Sequence, residues 1–185
     1  KMRIVYDAMR SEGIQFMEGE SELFMPSLLA NRLDCDTSSF LVKIIAHEMR
    51  WPVYFIEASG HNFVRYDDGK GVRFNMDYGQ IHDDSDYIRQ FHIAPQAIES
   101  GAYLVNENSN GVLAHMLFNR ALHRVGLRRP QEAVADLTEA IIKNPNGILA
   151  ISMRASLFHR LGNHRGAIRD HTRVLELNPT SIPTL

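Results

Sequence analysis

Apolar positions along the chain follow two different periods. From Gly111 onward they recur at helical spacing, and comparing each residue with the one 34 positions later finds the same pattern twice. Asn144-Pro145 returns as Asn178-Pro179, Arg120-Ala121 as Arg154-Ala155, Ala133-Val134 as Ala167-Ile168, and Asp136 as Asp170. Small residues at Ala121, Ala133 and Ala140 suit the close approach of two helices, and Pro145 stops the second. Each unit is therefore predicted to be a helix, a turn and a helix. Arg128 stands where the second unit has Gly162, which predicts an irregular first turn.

Upstream the pattern changes. Phe40, Leu41, Ile44, Ile45 and Met49 form a helical stripe, with Thr37 or Asp36 as the predicted cap and Trp51-Pro52 as the stop. The unbroken apolar run Val53 to Ile56 predicts a strand covered on both faces. Two more strands are predicted at His61 to Tyr66 and Val72 to Met76, with 67–71 as turn material. Helices are expected over Met2 to Arg10, over Phe24 to Leu33 after Pro26, and from the Asp83–Asp86 capping region to Gln90 or Phe91. Residues 95–110 connect the halves. The expected fold is an α+β domain over 1–105, with helices packed on a small antiparallel sheet, followed by an all-α domain over 106–185 whose repeats run from about 113 to 146 and 147 to 180.

Composition narrows the functional classes. The 185 residues are 44% hydrophobic and 23% charged with a net charge of −2, so a globular chain is expected and no basic excess points to nucleic acid. The longest apolar stretches fall far short of the roughly 18 residues needed to span a bilayer. Lys1 falls inside a helical pattern, so the sequence reads as a piece of a longer chain and carries no information on a signal peptide; the expected location is cytoplasmic. The single cysteine forms no internal disulfide and no CxxC pair. His47-Glu48 lacks the second histidine of a zinc helix, so neither a metal nor another cofactor is indicated.

The candidate chemistry starts from Cys35, at the expected start of a helix. Unpaired N–H groups and the positive end of the helix dipole favour a thiolate there, while Asp34 and Asp36 oppose it, so a nearby base is required. If the 67–71 turn is centred on Gly69, His61 faces Asp77 across the hairpin, and the carboxylate can fix the tautomer of the imidazole. Asn75, on the same strand face, is the alternative orienting residue, and Asn31 is a candidate oxyanion donor beside the Cys35 N–H. Singly, each residue has a plainer reading: the thiol as a small buried hydrophobe, His61 as a turn residue, Asp77 as a strand-end carboxylate.

The segments Asp34-Cys35-Asp36-Thr37-Ser38-Ser39, Trp51-Pro52-Val53-Tyr54, Gly60-His61-Asn62-Phe63-Val64-Arg65 and Asn75-Met76-Asp77 resemble the transglutaminase-like superfamily of papain-like fold. The 34-residue units resemble tetratricopeptide repeats, which the SirB1-type branch of that superfamily carries C-terminally. The resemblance implies a Cys35, His61, Asp77 triad for acyl transfer or amide hydrolysis, with repeats that bind a protein partner or substrate. Leu33-Asp34 replaces the family's usual glycine before the nucleophile region, and Phe63 takes the aromatic position two residues after the histidine. The competing expectation is a non-catalytic adaptor with a vestigial triad.

Overall fold

The computed structural model describes residues 2–17 and 24–181. In chain order the elements are α1 (Met2–Ser11), β1 (Gln15–Phe16), α2 (Phe24–Leu29), β2 (Arg32–Leu33), α3 (Cys35–Glu48), β3 (Val53–Ala58), β4 (His61–Asp67), β5 (Arg73–Asp77), β6 (Gln80–His82), α4 (Asp84–Phe91), α5 (Pro95–Glu99), α6 (Ser109–Gly126), α7 (Pro130–Lys143), α8 (Ile148–Arg160) and α9 (His164–Leu177). The chain divides into a unit of 1–92 with 106–108 and a unit of 93–105 with 109–185. The boundary thus falls earlier than residue 105, and 106–108 returns to the first unit, where Glu107 bridges Phe55.

The first unit is α+β. Its main sheet is antiparallel with the strands in sequence order, β3-β4-β5-β6. Side-chain alternation sorts the strands into two faces. Phe55, Val64 and Met76 share one face; Val64 and Met76 pack with Val42 and Ala46 of α3 and with Met2, Tyr6 and Met9 of α1, while Phe55 stacks on Phe40 at 5.1 Å. Phe63, Arg65, Asn75 and Asp77 share the other, where α4 brings Tyr87 to 3.9 Å from the Phe63 ring. The predicted helix over 24–33 ends at Leu29, because Arg32–Leu33 pairs in parallel with Gln15–Phe16. The short strand β6 and helix α5 were not predicted.

α3 begins at Cys35, with Asp34 as its cap in place of Thr37 or Asp36. The Thr37 N–H donates to the Asp34 carboxylate at 2.8 Å, and the Thr37 hydroxyl accepts from the Asp34 N–H at 2.9 Å, which makes a reciprocal capping box. β3 and β4 join through the two-residue turn Ser59-Gly60, with Gly60 at φ +80°.

The second unit is helical, in two hairpins with Ala121, Ala133, Leu137 and Ala140 fully buried between the helices. Arg120 forks onto Asp136 at 2.7 and 3.1 Å, and 34 residues later Arg154 forks onto Asp170 at 2.7 and 2.9 Å. Arg154 also donates to Thr138 at 3.2 Å, tying α8 to α7. The first turn is regular: Arg128 takes the left-handed conformation at φ +59° that Gly162 takes at φ +80°.

Candidate functional site

The β4–β5 register differs from the expected one by two residues, pairing Val64 with Met76 and Arg65 with Asn75. A shift of two preserves the face of every side chain. Asp77 therefore still projects beside His61, diagonally rather than directly across, and its Oδ2 lies 2.5 Å from His61 Nε2. A hydrogen bond at Nε2 leaves Nδ1 as the nitrogen with a free lone pair.

The imidazole sits in an aromatic setting. Phe91 stacks on it at 5.5 Å, Tyr87 at 6.2 Å and Phe63 lies at 6.4 Å. The His61 and Asp77 side chains keep 19% and 16% exposure, so the pair is sheltered yet reachable. Tyr6 and Tyr87 are both pushed above the ordinary phenol range, first by burial and then by the Asp77 carboxylate, and the buried Tyr87 hydroxyl makes no hydrogen bond among the described residues.

Cys35 is half-buried at the first position of α3. Its Sγ donates to Asp36 Oδ1 at 3.7 Å and accepts from the backbone N–H of Asn62, next in chain to His61. The Asn62 side-chain amide donates to the same Asp36 oxygen. Burial, then the Asp36 carboxylate, push the thiol up to about 12, against the smaller lowering from the Asn62 N–H. Among the described residues no hydrogen bond joins the thiol to His61. Two of the three candidate residues are thus in direct contact, and the third is held beside the His61–Asn62 peptide.

The other candidates lie elsewhere. The Asn75 side chain is buried and committed: its oxygen accepts from Arg65 Nε at 2.8 Å and its amide donates to Asp84 at 2.7 Å, so it does not orient His61. Asn31 is exposed in a left-handed turn at φ +55°, beyond the end of α2 at Leu29, where its carbonyl accepts from the Gln15 N–H. Sequence reasoning missed Asn62, which reaches both Asp36 and the thiol, and the Tyr87 and Phe91 face of α4. The i, i+4 aromatic spacing of α4 was the available signal for the latter.

Asp84 organises the far side of this face. It accepts from the almost fully buried Arg65, from Arg73 at 2.9 Å and from Asn75 at 2.7 Å, while Arg65 also donates to Asn106 at 3.1 Å. Three polar groups on two strands thereby fix the start of α4. No cluster of metal-ligating side chains occurs among the described residues. No helix among them is long and apolar enough to cross a membrane. No protein-family profile, curated protein or solved structure matches the chain.

Proposed function

We propose that the chain is a cysteine-dependent acyl-transfer or amide-hydrolysis protein of transglutaminase-like fold, with tetratricopeptide-like hairpins that bind a protein partner or substrate. The 2.5 Å His61–Asp77 contact carries this reading, because a carboxylate on Nε2 prepares Nδ1 to act as a base. Cys35 Sγ attacks a carbonyl carbon as its proton passes to His61 Nδ1, and the N–H groups at the start of α3 supply donors for the developing oxyanion. Collapse breaks the C–N bond, His61 returns the proton to the leaving amine, and a thioester remains. Water then gives hydrolysis; a second amine gives transfer. With the thiol pushed up to about 12, proton removal accompanies attack rather than preceding it.

An activated acyl ester tests this reading by mass spectrometry of the adduct. Labelling is expected on Cys35, absent in Cys35→Ala and slowed about 100-fold in His61→Ala. Equal labelling of the wild type and His61→Ala overturns it.

The thiol's hydrogen bond to Asp36, in place of one to His61, favours a second reading, a non-catalytic adaptor that keeps the dyad as scaffold. On that reading Cys35→Ala leaves partner binding and phenotype intact.

A further inference from the structure

The helical unit reverses direction twice at one end. α6 packs on α7, α7 on α8 and α8 on α9, all through short connections, so neighbouring helices run antiparallel. The turns at 127–129 and 161–163 consequently emerge on the same end. Arg128, Arg160 and Arg165 are exposed there with His123, His159 and His164. Arg124 and Arg129, at the same end, are neutralised by Glu132 and Asp136. Arg128, Arg160 and Arg165 have no carboxylate partner among the described residues.

Two of these arginines are placed against local preference. Arg128 occupies a left-handed position that its repeat equivalent fills with glycine, a cost of about 1 kcal/mol for a residue bearing a Cβ. Arg165 lies in the first turn of α9, which has no acidic residue, so its charge opposes the helix dipole. Local rules broken twice, each time to present a guanidinium on one surface, mark a surface with a task. Leu127 and Leu161, next in chain to Arg128 and Arg160, are 54% and 42% exposed and equivalent in the repeat. The whole unit carries ten basic against six acidic residues, whereas the other carries ten against sixteen.

We infer that this turn end is a docking surface for an acidic, amphipathic peptide segment of a protein partner, its carboxylates forking onto Arg128, Arg160 and Arg165 and its apolar side chains covering Leu127 and Leu161. Arginine favours this occupant over a lipid surface: a planar fork matches a carboxylate in two hydrogen bonds, and paired exposed leucines at fixed spacing suit side-chain anchors. The surface does not depend on Cys35 being active.

The test is fluorescence anisotropy of the full chain with a labelled peptide alternating Glu and Leu. Binding that weakens steeply with added salt is expected. A triple Arg128→Glu, Arg160→Glu, Arg165→Glu variant loses it by about 100-fold or more. Leu127→Ser with Leu161→Ser weakens it several-fold while the salt dependence persists. Arg128→Gly, which relieves the left-handed strain and so stays folded, weakens binding on its own. Failure to bind the peptide, or equal binding by the triple variant, overturns the proposal. So does binding to phosphatidylserine vesicles that the peptide does not displace, which assigns the arginines to a membrane instead.

Discussion

At the residue scale, Asp36 adds to burial in holding the thiol protonated. It lies beside Cys35, accepts a hydrogen bond from the thiol and is fixed by Asn62, so it opposes ionisation from a held position. Asp36→Asn removes the charge, and alkylation of Cys35 by iodoacetamide at pH 8 is expected to speed up about tenfold. An unchanged rate would leave burial as the sole cause. The same thiol shapes alkaline stability. Below its ordinary value of 9.0 it is protonated both folded and unfolded; as pH rises toward about 12 the unfolded chain sheds a proton that the folded chain keeps, so stability falls. Cys35→Ser is expected to flatten the decline between pH 9 and 12, read as urea midpoints. Cys35, His61 and Asp77 could be picked out in the sequence because each residue type implies a chemistry. Asn62 could not: its importance lies in a hydrogen bond to a residue 26 positions away.

At the element scale, the site depends on the start of α3. Asp34→Ala removes the carboxylate that accepts from the Thr37 N–H and hydroxyl and is expected to cost about 1–2 kcal/mol in urea unfolding, while loosening the turn that presents Cys35. Thr37→Ala breaks the other half and is expected to cost less. The hairpin explains how far strand reasoning reaches. Placing the turn at Gly69 located both strands, but β5 pairs two residues out of the assumed register, and only the two-residue period of the pleat kept Asp77 on the His61 face. The pairing of Gln15–Phe16 with Arg32–Leu33 had no comparable signal, since two-residue strands are too short for a period. Arg65 is the polar counterpart of the core. Arg65→Ala leaves Asp84 and Asn75 without their buried donor and is expected to destabilise by about 3–5 kcal/mol; Arg65→Lys rescues only part, because an ammonium cannot fork. Chemical denaturation of both variants checks the order.

At the scale of the whole molecule, the two units differ in how stability is shared. In the helical unit each element packs on its sequence neighbours, so damage at the shared α7–α8 layer spreads both ways. Leu137→Ala is expected to cost about 2–5 kcal/mol and to raise hydrogen exchange in both hairpins while α3 stays protected. This half was the most legible in sequence, since an internal repeat supplies its own comparison. In the first unit the parts are interlocked through Asp84. A single carboxylate neutralises the guanidinium inside the sheet and also anchors the helix whose Tyr87 and Phe91 rings lie along the imidazole. The framework and the face that carries His61 hang from one peg, so selection cannot retune the surroundings of His61 through α4 without also disturbing what keeps the strands together.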